Sequence, residues 1–423
     1  MKYPLHACAL AVAIALAAPT IPASADALPG GSVQSLLDYA RERNPEFAAM
    51  RHEAEAASER AAAAGSLPDP KLQIEWRDIT KMNTQNPTLA PSRVGTTRYQ
   101  IMQEVPWFGK RDLQRDIAHL EADGAKGLSY GTWAELSSRI KASYAQYYAV
   151  HQTEGLAREI LDLMARLEKV TQARYAGGLA AQPDAIRAQV EQTNLKNELI
   201  TLDNEKRMLQ SRLNMLLARP AQAPLAAPDR LRPLPQPVKL DYAALAERVR
   251  ARNPRLFAEE SRLKAAEKNR DLVYKNRYPD FAVGIAPMQT GGSVKEWEVM
   301  FQMTIPLQQA PRRAQEREAQ AMLAAAQSRK DATANQVLAE LSENLAALDA
   351  ARRTEMLVAN SLLPQAELTY RAALASYENG KVDFATLLDA QRQIRLAKQN
   401  RFKAQAEAQA RLAEIERLLG EEL

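Results

Sequence analysis

Few side chains in this sequence have the type and spacing that chemistry requires. The histidines His52, His119 and His151 are far apart and do not form an H-E-x-x-H motif, so we expect them on helix surfaces and not on a metal ion. Met300 and Met303 are three residues apart on a predicted strand and would face opposite ways, which disfavours a methionine copper site. The sequence also contains no phosphate-binding loop and no dinucleotide fingerprint. It therefore predicts a non-enzymatic protein without a cofactor.

Two carboxylates remain as candidate functional groups. Asp184 lies in RYAGGLAAQPDAIRAQ (174–189) and Asp389 in SYENGKVDFATLLDAQ (376–391), each just after a glycine-containing turn. A carboxylate near a helix start is stabilised by the helix dipole whatever its function. On the residues alone, the solvated helix-start carboxylate is the favoured interpretation.

A tandem duplication positions these two stretches. Besides the pair just quoted, ARERNPEFAAM (40–50) matches VRARNPRLFAE (249–259), LPDPKLQIEW (67–76) matches YPDFAVGIAP (278–287), and EVPWFGKR (104–111) matches TIPLQQAPRR (304–313). The matches keep their order at offsets of about 200 residues, which indicates a repeat within one chain. We assign residues 26–218 to the first repeat, 219–240 to a proline-rich linker and 241–423 to the second repeat.

Very long helices dominate both repeats. We predict them at about 107–175 and 183–218, and again at about 308–377 and 383–419, with a kink at Pro364. A coiled-coil spacing is carried by Leu156, Ile160, Leu163, Leu167 and Val170 in the first repeat and by Val337, Leu341, Leu345 and Leu348 in the second. At 1.5 Å per residue, the longest helix spans roughly 100 Å.

Four strands with alternating apolar and polar residues precede the long helices, at about 71–78, 96–105, 280–287 and 295–305. Hairpins on a soluble core would explain the alternation, but the rest of the chain offers only narrow helix seams, so lipid is the favoured solvent. Strands exposed to lipid must close into a barrel, and bacterial barrels start at about eight strands. Four strands per chain therefore require oligomerisation: two chains would give eight strands and three would give twelve.

The N-terminal segment predicts export. Residues 1–25 read as a signal peptide cleaved after Ala25, and this peptide contains Cys8, the only cysteine of the chain. No later segment has the apolar length of a transmembrane helix. The net charge of +5 and pI near 9.1 arise from interleaved acidic and basic residues, as on solvated helix faces, so we expect no nucleic-acid partner. We expect the protein in the outer membrane, with a periplasmic extension.

The duplicated layout, the VPWFGKR junction, RYAGGLAAQPDAIRAQ and YENGKVDFATLLDAQR resemble the TolC-type outer membrane efflux proteins. Within that family, the heavy-metal branch of cobalt-zinc-cadmium and copper exporters is the most similar. The resemblance implies a mostly α-helical protein with a β-barrel part, built as a homotrimer with a twelve-strand barrel and a long periplasmic helical tunnel. It implies a passive duct without a cofactor, whose partners are a periplasmic adaptor, an inner-membrane pump of the resistance-nodulation-division (RND) class and outer-membrane lipid.

The resemblance also implies roles for single residues at the tunnel entrance. Asp184 matches the family's tip aspartate, which bonds a tyrosine that corresponds to Tyr377, and Asp389 matches the inner of two acidic rings. The sequence departs from the pattern at the outer ring, where Thr386 stands, and at the bridging arginine, which is replaced by Val382. Lys381 and Asp383 are charged residues next to Val382, and Asp383 is a candidate to supply the charge that is missing from the family's pattern.

The resemblance assigns adaptor docking to the helix-reversal turns, and the residues of the strand-to-helix junction suggest a membrane anchor. The docking residues are Tyr175, Gly177, Gly178, Leu179, Gly380 and Val382, with the glycines expected to supply positive φ angles. Trp107 and Phe108 are expected to anchor the junction at the membrane interface, with Lys110 and Arg111 at the polar boundary.

Two alternative functions stay open at this stage. One is a duct of the same family for drugs or other organic compounds, because a passive tunnel need not bind what passes through it. The other is a periplasmic coiled-coil adaptor without a pore. An adaptor should carry one helical hairpin flanked by compact β domains, whereas this chain predicts two hairpins, so the second alternative is the weaker one.

Overall fold

The computed structural model describes residues 28–177 and 182–423, and the predicted signal peptide lies outside these ranges. The described elements alternate between short helices, strand pairs and long helices in both repeats. In chain order they are α1 Val33–Arg43, α2 Pro45–Ala63, β1 Lys71–Arg77, β2 Thr96–Val105, α3 Lys110–Ala176, α4 Gln182–Leu216, a 3-10 turn Pro237–Leu240, α5 Tyr242–Arg252, α6 Pro254–Lys275, β3 Asp280–Thr290, β4 Ser293–Thr304, α7 Gln309–Leu357, a π-helical turn Val358–Leu362, α8 Leu363–Glu378 and α9 Phe384–Leu419.

Helix α3 is 67 residues long, or roughly 100 Å at 1.5 Å per residue. Of its predicted seam residues, Leu156, Ile160 and Leu167 are buried, but two other positions differ from the prediction. Met164 and Thr171 are buried, whereas the predicted Val170 is 48% exposed. Thr171 can be buried because its hydroxyl donates to the carbonyl oxygen of Leu167 at 2.8 Å, which satisfies the polar group inside the helix itself.

The second long helix is interrupted where the sequence predicts a kink at Pro364. The π-helical turn Val358–Leu362 ends two residues before this proline, and α8 begins at Leu363. A π turn widens the backbone by one residue and so accommodates the missing N–H of proline without ending the helix. The predicted seam residues Val337, Leu341 and Leu348 of α7 are buried.

The duplicated Arg-Asn-Pro motif forms the same contact in both repeats. Asn44 caps α2 by accepting from the Phe47 N–H at 3.0 Å, and its amide donates to the Leu216 carbonyl at the end of α4 at 2.8 Å. Asn253 caps α6 in the same way and donates to the Leu418 carbonyl near the end of α9, also at 2.8 Å. Each asparagine therefore satisfies one helix start and one helix end. We call this pair of contacts the asparagine clasp.

The strands form one antiparallel sheet in the order β1, β2, β3, β4. The hairpins β1–β2 and β3–β4 belong to the two repeats, and β2–β3 pairing joins them, with Ile101 opposite Ile285 and Val105 opposite Phe281. The two repeats therefore share a sheet.

The proline-rich linker packs on the helices. Leu225 is buried with α1, α3 and α4, and Leu231 packs against the same cluster. The Tyr144 hydroxyl lies 2.9 Å from the Gly31 carbonyl oxygen and 3.2 Å from that of Arg230, so it binds the N-terminal segment and the linker at once. Burial, with the nearby Asp229 carboxylate, raises the pKa of Tyr144 to about 12. The linker is therefore a fixed part of the fold and not a free tether.

Candidate functional site

One face of the sheet is apolar and uncovered. The observed register brings Ile74, Ile101, Ile285 and Val299 to the same face of four successive strands, each of them exposed. On the edge strand β4, the exposed fraction reaches 84% for Val299. Gln103, opposite Val283, interrupts this face, but an exposed apolar surface across four strands is unusual for a protein surrounded by water. Hairpins covering a soluble core, the alternative explanation of the alternation, are therefore wrong.

The opposite face of the sheet is polar and carries ion pairs. Arg98 of β2 lies 2.8 Å from a Glu298 carboxylate oxygen on β4 and 3.8 Å from one of Glu75 on β1. Lys71 and Glu104 form a further ion pair between β1 and β2. The sheet therefore has an apolar face on one side and paired charges of both signs on the other.

The strand-to-helix junction of the first repeat is held by a carboxylate from the second. One oxygen of Asp280 accepts from the Trp107 N–H at 2.8 Å and from the Lys110 ammonium at 2.9 Å. The side chain of Lys110 is only 7% exposed. The expectation that Lys110 faces the polar boundary is therefore wrong, because Asp280 compensates its charge inside the protein.

The aromatic residues at this junction have different surroundings. Trp107 stacks on Tyr278 with ring centroids 5.1 Å apart, while Phe108 is 78% exposed. Gly109, which precedes α3, has a φ of +77°, a left-handed angle that suits glycine. Arg111 donates from Nε to the Gly65 carbonyl at 2.7 Å and so ties α3 to the end of α2.

At the other end of the long helices, Tyr377 is buried. Its hydroxyl lies 3.3 Å from the Thr171 hydroxyl, its ring packs against Phe384, and the Arg174 guanidinium lies over the ring at 5.0 Å. Arg174 also donates to the Tyr377 carbonyl at 3.1 Å. Tyr377 therefore ties α8 to α3 across the two repeats.

Asp184 and Tyr377 do not contact each other within the chain. The nearest cation to Asp184 is Arg187 on its own helix, at 3.8 Å. The structure therefore places Asp184 as a helix-start carboxylate and gives Tyr377 other partners. The predicted bond between them is not formed in this single chain.

The reversal turn of the second repeat is built around Asp383. This residue caps α9, because one carboxylate oxygen accepts from the Thr386 N–H at 3.0 Å and from its hydroxyl at 2.7 Å. These hydrogen bonds lower the pKa of Asp383 below its ordinary value. Gly380 has a φ of +69°, and the Lys381 N–H donates to the Ser376 carbonyl at 2.8 Å.

The first reversal turn differs from its counterpart. Gly177 has a φ of −84°, so the expected positive angle is absent there. Gly178 and Leu179 lie outside the described residues. Tyr175 is 48% exposed, unlike its repeat counterpart Tyr377, and Val382 is partly buried against the cluster that contains Tyr377.

An ion-pair network between α4 and α9, which the sequence did not suggest, lies beside Asp389. Glu191 is 2% exposed and lies 2.6 Å from Arg392 and 3.6 Å from Arg395. Arg395 continues the network to Glu198 at 3.1 Å, and Arg392 lies 3.7 Å from Asp389, whose side chain is 69% exposed. A carboxylate as buried as that of Glu191 requires these arginines, because losing a partner leaves an uncompensated charge. The network fixes α4 to α9 near the tip.

Metal-binding side chains are not brought together in the described part of the chain, where no group of three or more His, Cys, Asp or Glu residues could hold an ion. His52 is exposed and contacts Glu55 at 3.3 Å. His151 is half-buried, contrary to the expected surface position, and burial together with Lys206 lowers its pKa. Over residues 28–177 and 182–423, no helix combines the length and apolar character needed to cross a membrane.

The complete fold matches solved outer membrane channels. CusC, whose crystal structures concern transmembrane channel formation, superposes with a TM-score of 0.77 at 16% identity, covering 92% of each chain. The outer membrane protein VceC from Vibrio cholerae gives a TM-score of 0.75 at 16% identity, covering 92% of this chain and 96% of VceC. The fold, with its helical part and its sheet, is therefore that of the outer membrane channel proteins.

Sequence comparison gives the family. The profile of the outer membrane efflux proteins matches residues 36–219 and 245–421, which are the two repeats on either side of the linker. The chain belongs to the outer membrane efflux protein family. It is also 22% identical over 396 residues to the cobalt-zinc-cadmium resistance protein CzcC of Cupriavidus metallidurans, covering 92% of this chain and 90% of CzcC. The resemblance drawn from the motifs is confirmed, and the pore-free adaptor is no longer a competing explanation.

Proposed function

We propose that this protein is the outer-membrane subunit of a tripartite efflux system, a passive homotrimeric duct through which heavy-metal cations leave the cell. The observation that carries this proposal is the sheet, which exposes an apolar face on one side and paired charges on the other. Lipid solvates the first face, and a water-filled lumen solvates the second.

Closing this sheet requires more than one chain. Strands β1 and β4 each have one neighbour within the chain, so two edges carry unpaired backbone groups. Such groups cost several kcal/mol each in hydrocarbon, and a closed barrel removes them. Three chains supply twelve strands, the number that the family resemblance implies.

The long helices then give the duct its direction. They leave the sheet at the junctions of Trp107 and Leu307 and extend roughly 100 Å to the reversal turns. We place these turns in the periplasm, where they dock a periplasmic adaptor and, through it, an inner-membrane pump of the RND class. The duct itself holds no cofactor, and the pump supplies the energy.

Heavy metals are proposed as cargo because CzcC, a cobalt-zinc-cadmium resistance protein, is similar along nearly the whole chain. The exposed Asp389 near the tip fits this cargo, because three such carboxylates around a tunnel entrance would favour cations. The charges on the polar face of the sheet have both signs and do not select cations. A duct for organic compounds is therefore the alternative that the experiment must separate.

Two measurements test the proposal. Deletion of the gene should sensitise the host to heavy-metal cations, and the purified protein should form channels in planar bilayers. Unchanged metal tolerance together with new sensitivity to detergents or antibiotics would replace the metal by organic cargo. Absence of channels from a correctly folded protein would contradict the duct itself.

A further inference from the structure

The pairing of β2 with β3 is a junction between two repeats that the chain makes with itself. Its strands are antiparallel, with Ile101 opposite Ile285, and Asp280 receives the Trp107 N–H just past their ends. The outer edges of the sheet are the repeat counterparts of these strands. Strand β4 corresponds to β2, with Pro306 at an offset of 200 from Pro106, and β1 corresponds to β3, with Asp69 at an offset of 211 from Asp280.

We propose that β4 pairs with β1 of a partner subunit in the register of the internal junction, so that Phe301 lies opposite the partner subunit's Ile74. This inference rests on the proposed homotrimer and adds the residues by which its subunits join. The register follows from the two offsets, because Ile101 moved by 200 is Phe301 and Ile285 moved back by 211 is Ile74. The whole of β1, seven residues, then pairs within β4, which has twelve.

The side chains agree independently with this register. Met303 comes opposite the partner subunit's Leu72, and Val299 opposite the partner subunit's Trp76, so apolar residues meet on the exposed face of both edges. On the polar face, Glu298 comes opposite the partner subunit's Arg77. A shift by one residue would pair apolar with polar side chains throughout.

Shifts by two residues keep the faces but lose other contacts. In one direction, Glu298 would come opposite the partner subunit's Glu75, and like charges directly opposite are destabilising. In the other direction, the partner subunit's Lys71 would come opposite Pro306, which lies beyond the end of β4 and has no N–H to donate. The internal register is therefore also the best one for the edges.

The ends of the strands supply an independent sign that a partner is missing. Asp280 is bonded to two donors, whereas its counterpart Asp69 is exposed and forms no hydrogen bond or ion pair with any described residue. In the proposed register, the partner subunit's Asp69 comes opposite Pro306, six residues before Arg312. The Nε of Arg312 is buried and has no hydrogen-bond acceptor within the described ranges. Arg312 also donates from Nη1 to the Asn276 carbonyl, so the partner subunit's Asp69 would bind its remaining N–H groups.

Cysteine cross-linking tests the register in the intact protein, with Cys8→Ser as background. Directly opposite residues in antiparallel strands have Cα atoms about 4.5–5.5 Å apart, which suits a disulfide. Phe301→Cys with Ile74→Cys should give covalent dimers and trimers on denaturing gels after oxidation. The matched internal pair, Ile101→Cys with Ile285→Cys, should give a cross-link that leaves the chain monomeric. Phe301→Cys with Leu72→Cys, displaced by two residues, should cross-link at least tenfold less.

The outcomes separate the register from the trimer. Cross-linking of the displaced pair in preference to the proposed pair would overturn the register and leave the homotrimer intact. The register would also be overturned if light scattering in detergent showed a trimer and the internal pair cross-linked, but the pair Phe301→Cys and Ile74→Cys did not. A protein that is monomeric in detergent and also forms no channels in planar bilayers would overturn the proposed function and this inference together. As a second readout, Asp69→Arg should lower the melting temperature of the trimer, and adding Arg312→Asp should recover it.

Discussion

Replacement of Asn253 by alanine should destabilise the protein more than an ordinary helix-cap substitution. The residue is 3% exposed and serves two helices, because it accepts from the Leu256 N–H at 3.0 Å and donates to the Leu418 carbonyl at 2.8 Å. Alanine removes both contacts of the asparagine clasp and adds none.

The expected magnitude is the sum of two losses. Replacing an asparagine N-cap by alanine costs about 0.5–2 kcal/mol. The Leu418 carbonyl lies in the last turn of α9, where no helical N–H follows, so it would remain buried without a partner at a cost of about 1–3 kcal/mol. Asn253→Ala should therefore lower the free energy of unfolding by roughly 1.5–5 kcal/mol.

Urea unfolding of the detergent-solubilised protein, followed by circular dichroism of its helices, measures this loss. Asn253→Ser keeps a capping oxygen but is too short to donate to Leu418, so it should show the second loss alone. Asp241→Ala is the matched control, because Asp241 caps α5 by accepting from the Ala244 N–H at 3.0 Å and its side chain forms no other hydrogen bond or ion pair among the described residues. Asn44→Ala should repeat the effect in the first repeat, because its contacts have the same lengths.

A loss of stability in Asn253→Ala no larger than that in Asp241→Ala would refute the double role of Asn253. Such a result would mean that the Leu418 carbonyl accepts from water or another donor in the variant, and that Asn253 stabilises the protein only as the N-cap of α6. A loss of unfolding free energy in Asn253→Ala with none in Asn44→Ala would instead show that the two repeats contribute unequally to stability in spite of their equal contact geometry.

Four further predictions concern the tip and the linker. Glu191→Gln removes the buried partner of two arginines and should raise single-channel conductance in planar bilayers. Asp184→Ala should also raise it if the family's gate operates here, and unchanged conductance and cation selectivity would assign Asp184 to the helix start alone. Asp383 has a lowered pKa, so its cap stabilises α9 fully at pH values above the ordinary aspartate pKa of 3.8 and is lost as the pH falls through the folded-state pKa. Hydrogen exchange at the Thr386 amide should therefore become faster over that pH range. The variant Asp383→Asn should show no such pH dependence. Tyr144 has a raised pKa, so its contribution to folding stability is complete below pH 10 and declines as the pH rises to about 12. The melting temperature of Tyr144→Phe should lack this decline.

Much of the architecture could be predicted because it depends on local patterns. The strand β2 ends at Val105, as expected from the proline that follows, and α9 ends at Leu419, before a glycine with a φ of +70°. The repeat itself was visible because both halves keep the same turn and cap residues. Such signals act within a few residues of the chain and need no knowledge of tertiary contacts.

The remaining features depend on distant partners. Lys110 looked like a surface cation, and only the approach of Asp280, 170 residues later, allows its burial. Glu191 looked like one of many helix-surface carboxylates until α9 brought Arg392 against it. The apolar spacing predicts Val170 on the seam, where Thr171 is buried instead, because hydropathy does not register that a threonine hydroxyl can bond its own helix. The Asp184 assignment came from the resemblance, and the single chain gives that residue a different partner.

The internal β2–β3 junction has a consequence for assembly. Because both strands belong to one chain, their pairing is unimolecular and independent of protein concentration, whereas the proposed pairing of β4 with a partner subunit's β1 would obey mass action. In a ring of three duplicated chains, half of all repeat-to-repeat junctions are therefore formed by folding alone. An unduplicated repeat would have to find five others by diffusion, with every sheet edge exposed to aggregation in the meantime. The fused repeats thus reduce both the number of encounters and the time for which open edges meet the periplasm.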